Sequence, residues 1–373
     1  MRVLVTGAEG FVGRNLCVRL REVPGMQVLP VGRGTSQADL ECGIASADAV
    51  VHLAAVNRPK DPAEFMPANC GLTALVAEFV ARRGGGVPVV LSSSTQAERD
   101  TPYGLSKRAA EDALLGILPD PRSFAHVFRL PNVFGKWCRP NYNSAVATFC
   151  HSIARGLPIT IHDPAAPLSL VYIDDVVDAF VSILAAHGRG EALSGGPYRS
   201  VEPVYSTTVG SMAEAISRFH QTRRELGVDA VGKGLMRALY ATYLSYLPAD
   251  DFSYPIPVYT DPRGAFAEML RTIDSGQVSF FTAHPGVTRG GHYHHTKNEK
   301  FLVVSGRARF RFRNILTGET KELEADGASP RIVDTVPGWA HDVTNVGTDN
   351  LVVLLWANET LDRDRPDTIA SQL

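Results

Sequence analysis

Apolar positions fall into two regimes along the chain. Up to about residue 245, short β-branched runs alternate with stretches of helical period. Arg2–Thr6, Val28–Val31, Ala49–Leu53, Val87–Ser92 and Ala125–Arg129 read as strands, and Phe11–Arg21, Asn69–Arg82 and Ser106–Leu118 as helices. The strand runs are apolar almost throughout, as expected where helices cover both faces of a parallel sheet. This succession predicts an α/β domain of Rossmann type, a doubly wound parallel sheet, over residues 1–246.

The pattern changes after that point. The stretch LPADDFSYPIP, rich in proline and turn residues, predicts a linker over 247–257. Residues 258–373 then carry short strands: Gln277–His284, Lys300–Val304, Ala308–Asn314, Arg331–Val333 and Leu351–Asn358. In RARFRFR, from Arg307 to Arg313, arginines alternate strictly with apolar or small residues, so one face is buried and the other carries positive charge. An all-β sandwich or barrel of roughly a hundred residues is expected.

The chain of 373 residues has room for two domains, with 45% hydrophobic residues. A formal charge of −2 gives no electrostatic reason for a nucleic-acid or anionic-membrane partner. No apolar run is long enough to span a bilayer, and the opening MRVLVTGAEG reads as a first strand rather than an export signal. Cys17, Cys42, Cys70, Cys138 and Cys150 are odd in number and scattered, with no C-x-x-C pair. Reduced thiols in a cytoplasmic protein are the simplest reading.

TGAEGFVG puts Gly7, Gly10 and Gly13 between the first strand and the first helix. A tight turn with close backbone approach lets a pyrophosphate sit at the helix N-terminus. The second strand ends in VGRG, whose Arg33 suits a 2′-phosphate where an NAD site usually has an acid. NADPH is therefore the expected cofactor. In YGLSK, Tyr103 and Lys107 stand four apart and share a helix face, where an ammonium favours the phenolate. Upstream, LSSSTQ ends a strand and offers a hydroxyl to a substrate carbonyl oxygen.

The glycine turn, HLAA at His52–Ala55, the SSS run, Y-x-x-x-K and RLPNVFG at Arg129–Gly135 together resemble extended short-chain dehydrogenases acting on nucleotide sugars. The resemblance implies Tyr103 as general acid or base, Lys107 as its assistant, and Ser94 as the third catalytic group. The short gap to Tyr103 leaves Thr95 as an alternative hydroxyl. It implies cofactor contacts at Gly7, Gly10, Phe11, Val12, Gly13, Arg33, Asp39, Leu40, Leu53, Ala54, Ala55, Lys107 and Leu130. Asn57, Arg58, Asn132, Arg139, Asn141 and Asn143 are the candidates for the sugar nucleotide, with ordinary loop polarity the competing reading. Dehydratases of this family carry an Asp-Glu pair where this chain has Gln96 and Ala97, so dehydration is disfavoured and ketone reduction favoured.

A second set of residues has a different chemistry. From Gly286 the chain reads G-x5-H-x-H-x4-E-x6-G, with His292, His294, Glu299 and Gly306 in place, and PGWAHDVTN follows with His341. Both stretches resemble the cupin signatures. The resemblance implies a jelly-roll barrel with two histidines and the glutamate on one hairpin and the third histidine on a facing strand. Three imidazoles and a carboxylate suit a divalent transition metal, zinc foremost. His292 and His294, two apart, point to one side of a strand, and His295 to the other. Candidates for a general base nearby are His295, His341, Tyr293 and Lys300.

RLPNVFGKWCRPNYNSAVATFCH, VNRP, LVYIDDVV and VYTDPRGAFAEML resemble the CapF-type capsular polysaccharide enzymes over almost the entire chain. That resemblance implies two reactions. The cupin domain would epimerise C3 of a UDP-2-acetamido-2,6-dideoxy-hexos-4-ulose. The N-terminal domain would reduce C4 with NADPH to UDP-2-acetamido-2,6-dideoxy-L-talose, on the route to UDP-N-acetyl-L-fucosamine for capsule or O-antigen. It also implies a homodimer formed through the cupin. Two other readings stay open: a reductase whose cupin is a metal-stabilised oligomerisation module, and a non-catalytic NADP sensor or sugar-binding protein. The Tyr103–Lys107 pair argues against the sensor.

Overall fold

A computed structural model describes all residues except 85, 119–123, 192 and 361–363. The chain divides into two compact units, Met1–Ile216 with Arg237–Leu247, and Ser217–Met236 with Pro248–Leu373.

The first unit is built on β1 (Arg2–Thr6), β2 (Gln27–Val31), β3 (Ala49–His52), β4 (Val89–Ser94), β5 (Ala125–Leu130) and, after β6 (Asn132–Phe134) and β7 (Pro167–Tyr172), β8 (Tyr198–Arg199). They form one parallel sheet in the order β2-β1-β3-β4-β5-β8. β6 and β7 join β9 (Val204–Thr208) in a small second sheet. The helices are α1 (Phe11–Glu22), α2 (Gln37–Ser46), α3 (Leu72–Arg83), α4 (Pro102–Ile117), α5 (Ala145–Ala154) and α6 (Ile173–Gly188). Alternation along the strands feeds two cores. Leu4, Val50, Leu91 and Val127 pack with Leu40 and Ile44 of α2, Phe79 of α3 and Leu114 of α4. Residues of opposite parity face the other layer, where Phe128 meets Phe180 of α6 edge-on at 4.8 Å.

α4 begins a full turn before the expected Ser106. Thr101 caps it, accepting the Gly104 N–H at 3.0 Å, and Pro102 sits in the first turn where a missing N–H costs nothing. The earlier start puts Tyr103 on the helix with Lys107.

The second unit takes up residues expected in the N-terminal domain. After α7 (Val209–Arg224), β10 (Gly227–Val228) pairs in parallel with β12 (Gly264–Thr272), drawing 217–236 into this unit; α8 (Gly234–Leu244) follows. β11 (Val258–Asp261) pairs with β12 as well. The remaining strands are β13 (Gln277–Ala283), β14 (Thr288–Tyr293), β15 (Glu299–Ser305), β16 (Arg307–Asn314), β17 (Thr320–Asp326), β18 (Ile332–Asp334), β19 (Trp339–Asn345), β20 (Leu351–Ala357) and β21 (Ile369–Ala370). One sheet runs β10-β12-β13-β20-β15-β18 and the other β17-β16-β19-β14-β21. Phe281, Phe301, Phe310, Phe312, Val343, Val353 and Leu355 fill the space between them.

The arginine face of β16 differs from expectation. Arg307 pairs with Glu324 at 3.1 Å, Arg311 with Asp342 at 2.5 Å, and Arg309 lies 3.9 Å from Glu322. Acids on the flanking strands balance the charge, so this face is zwitterionic rather than positive.

Candidate functional site

The glycine turn is set by contact rather than by freedom alone. Gly7 has φ +68°, and a Cβ there would lie 2.8 Å from the Ala54 nitrogen. A Cβ on Gly13 would stand 2.2 Å from the Gly7 oxygen, so α1 can seat against the turn only without a side chain. The neighbouring strand edge is held by buried His52. The Thr73 hydroxyl donates to the Asn69 carbonyl at 2.6 Å, so its oxygen is left to accept from His52 Nε2, 3.0 Å away. His52 Nδ1 then accepts from the Thr6 hydroxyl at 2.7 Å, and that oxygen takes the Leu53 and Ala54 N–H groups at 3.1 and 3.2 Å. Burial, and then the charge of Lys107, push His52 down to about 3, so it stays neutral.

Ser94, 9% exposed, lies beside the Tyr103 phenol, whereas Thr95 is exposed. The structure thus brings Ser94, not Thr95, to the phenol, and Phe65 packs on the ring with centroids 5.6 Å apart. Lys107, 4% exposed, donates to the Ser92 carbonyl at 2.6 Å. Burial lowers its pKa to about 8, while Glu111 opposes the change. The expected lowering of the tyrosine is not found: burial raises Tyr103, and the Ser94 contact offsets this only in part. Glu111 was not legible as a site residue. It is fully buried, accepts from Ser93, and takes Arg129 through Nε at 3.1 Å and Nη2 at 2.6 Å, tying α4 to β4 and β5.

Arg33 is exposed just past β2, and Leu130 is buried at the end of β5. Asp39 accepts from Ser36 at 2.7 Å in the first turn of α2, and Leu40 is buried in the core beneath that helix. Among the sugar candidates, the Tyr142 hydroxyl donates to Asn57 Oδ1 at 3.0 Å, and the Arg139 guanidinium lies 5.3 Å from the Tyr142 ring centre. Tyr142, missed in the sequence, thus joins Asn57 to Arg139. Asn141 takes φ +53° beside it. Asn132 donates to the Ser169 carbonyl at 3.2 Å, while Arg58 and Asn143 are exposed.

In the barrel unit, His292, His294, Glu299 and His341 bring one ligand atom each to within 4.8 Å of one another. His292 and His341 are register partners on the adjacent strands β14 and β19, and Glu299 opens β15 in the other sheet. The third histidine therefore comes from a hydrogen-bonded neighbour, and the glutamate from the facing sheet. His294 donates from Nδ1 to the Asp367 carbonyl, and His341 Nδ1 faces the Trp339 carbonyl at 3.3 Å. Their Nε2 atoms are buried without a hydrogen-bond partner, each 3.5 Å from Glu299 Oε2. Two imidazole lone pairs and a carboxylate oxygen converge, which is the donor set a divalent metal takes. Burial works against the Glu299 charge, and the Lys297 ammonium, 3.1 Å from Oε1, favours it.

A cavity of about 140 Å³ opens on this cluster, lined by Phe266, Phe281, Phe301, Phe310 and Leu355 with Arg289, His292, Glu299, His341 and Asp342. Arg289 has a buried Nε without a partner. His295 is exposed and meets the Tyr293 ring edge-on, and exposed Lys300 pairs with Asp334 at 2.5 Å, so neither joins the metal cluster.

Residues 3–194 match the NAD dependent epimerase/dehydratase family, and 259–369 match the polysaccharide biosynthesis C-terminal domain. The chain is 56% identical over 370 residues to a Pseudomonas aeruginosa protein named UDP-2-acetamido-2,6-beta-L-arabino-hexul-4-ose reductase, covering 99% of this chain and 98% of that one. The chain belongs to the NAD dependent epimerase/dehydratase family. Within that family it is of CapF type: the capsular polysaccharide assembling protein CapF from Staphylococcus aureus superposes with a TM-score of 0.91 at 38% identity, each chain covered completely. UDP-glucuronic acid 4-epimerase from Bacillus cereus, at 17% identity and a TM-score of 0.55 over 66% of this chain and 96% of its own, shares the fold. All five cysteines are free, and no helix among the described residues is long and apolar enough to cross a membrane.

Proposed function

We propose that the protein is an NADPH-dependent reductase of a UDP-4-keto-6-deoxy amino sugar, whose barrel unit epimerises C3 of the same sugar. The observation that carries the reading is the Ser94–Tyr103–Lys107 arrangement, complete in a chain so close to a named 4-ulose reductase.

When bound, the dinucleotide supplies the hydride. The chain supplies the rest. Ser94 holds the ketone oxygen beside the phenol, and Tyr103 passes its proton to that oxygen as the carbonyl becomes an alcohol. Burial keeps Tyr103 protonated at neutral pH, the form a reductase needs at the start of its cycle. Lys107 has a single described acceptor, Ser92, and two further N–H donors for ribose hydroxyls. Arg33 takes the 2′-phosphate, which sets the preference for NADPH. Arg139, Tyr142 and Asn57 hold the sugar nucleotide.

C3 epimerisation requires that the C3 proton be acidified by the C4 carbonyl. A divalent metal held by His292, His294, Glu299 and His341 would supply Lewis acidity there. In the same cavity the unpartnered Arg289 Nε–H offers a donor to a sugar oxygen, and the phenylalanines exclude water. Epimerisation prepares the ketone that reduction consumes, and reduction fixes the new stereocentre. The outward Val304 and Ile332, each 54% exposed, with Leu354 beside them, form an apolar sheet face suited to a second copy of the chain.

The test is NMR of the UDP-4-keto sugar with NADPH in heavy water. Deuterium should enter C3, and Tyr103→Phe should abolish NADPH oxidation while sparing that exchange. Loss of both activities in a folded Tyr103→Phe protein would count against two separate sites. Ile332→Glu should give a monomer by sedimentation.

A further inference from the structure

We propose that the C-terminal segment Asp367–Gln372 is a clasp that fixes the metal-ligating loop, with Asp367 as its positioning residue. Four residues separate His294 from Glu299, and this short loop must hold two ligands at once. Its conformation is set by one carboxylate. Asp367 Oδ2 accepts the Thr296 N–H at 2.7 Å, the Lys297 N–H at 2.8 Å and the Thr296 hydroxyl at 3.0 Å, while Oδ1 accepts the His295 N–H at 2.9 Å. Three successive N–H groups turned to one anion form a nest, a concavity suited to a carboxylate.

The same residue reaches the ligand itself. Its carbonyl accepts the Nδ1–H of His294, leaving the Nε2 lone pair for the cluster. Beyond it, Ile369 and Ala370 pair with Tyr293 and His292, and the Ser371 N–H donates to the Gly291 carbonyl at 2.8 Å. Arg313 closes the far end, donating to Ser371 Oγ at 2.9 Å and to the Gln372 carbonyl at 2.8 Å. The clasp therefore touches β14 at His292, the ring of His294 and the loop leading to Glu299. That covers three of the four ligands, and the fourth, His341, is the register partner of His292.

The inference deepens the metal-site reading and depends on it for only one of two measurements. Amide hydrogen exchange in the metal-free full-length chain is the first. In Asp367→Ala the amides of residues 295–297 should exchange at least about tenfold faster than in wild type, with those of β16 unchanged. Competition of Zn²⁺ against a chromophoric chelator is the second, where Asp367→Ala should weaken zinc about 10–100-fold. Asp367→Asn, which keeps an acceptor oxygen, should fall between, and NADPH affinity serves as the check that each variant is folded. Wild-type exchange rates at 295–297 in Asp367→Ala overturn the clasp whatever the metal does. Faster exchange with unchanged zinc affinity overturns its role at the ligands. Should wild type bind no zinc, the metal reading fails and the exchange result still decides whether the clasp exists.

Discussion

As the proposed holder of the ribose, Lys107 would tie cofactor binding to protons. In the free protein its ammonium is buried and has one described acceptor, and its pKa is lowered from 10.5 to about 8. Ribose hydroxyls would satisfy the remaining donors and restore the ordinary value, so NADPH binding draws a proton onto the enzyme wherever free Lys107 is neutral. The window between about 8 and 10.5 corresponds to about 3 kcal/mol at 1.36 kcal/mol per pH unit. NADPH affinity should hold up to about pH 8 and then weaken by at most tenfold per unit, roughly 300-fold in all. Stability of the free protein should move oppositely. A lysine lowered on folding binds fewer protons than in the unfolded chain, so stability rises with pH across the same window. Burial raises Tyr103, which moves its titration upward, away from the start of this window. Fluorescence titration with NADPH at several pH values, in wild type and Lys107→Met, reads the slope directly. Calorimetry in buffers of different ionisation enthalpy counts the proton. A flat wild-type profile, or the same slope in Lys107→Met, would refute the linkage.

Other outcomes follow from the same geometry. Gly13→Ala forces a Cβ to 2.2 Å from the Gly7 oxygen and should cost about 1–3 kcal/mol in chemical denaturation together with NADPH affinity. Wild-type values for both would show that the turn yields. Arg33→Asp should weaken NADPH about 10–100-fold and leave NADH unharmed, so equal losses for the two dinucleotides would remove Arg33 from phosphate recognition. Zinc at about a hundredfold excess over its dissociation constant should raise the stability of the barrel unit by about 2.7 kcal/mol. A thermal transition indifferent to both chelator and zinc would leave the histidine cluster without a metal.

Much of the fold was legible because its signals are local. The strands of the parallel sheet are apolar runs, and the arginine alternation of β16 marks its buried face without ambiguity. The metal-type residues were legible because their spacing survives in the linear chain, although which sheet each would occupy was not. Strand pairing is a property of the whole barrel, and nothing near His341 says that its partner is His292. Glu111, Tyr142 and Asp367 were missed for one reason: each is joined to residues distant in sequence. An aspartate 70 residues from the loop that it caps carries no local mark. The direction of the Tyr103 shift was misjudged because the Y-x-x-x-K spacing reports a shared helix face but not burial, and burial decides.

The ion pairs of the β16–β17 hairpin lean diagonally. Arg307 stands opposite Asp326 yet bonds Glu324, and Arg309 stands opposite Glu324 yet approaches Glu322. Sliding one strand by two residues would still set basic against acidic side chains, so charge cannot choose between these alignments. That choice falls to the tight bend, where Asn314 Oδ1 accepts the Leu316 and Thr317 N–H groups at 2.9 and 3.0 Å. It falls equally to Phe312, which lies across from His341 on the far side of β16. A slip of β16 by one residue would present arginines to the interior, and the imidazole of His341 would lose Phe312, one of its aromatic neighbours. A shift that begins at the exposed end of this hairpin would thus be felt at a buried histidine.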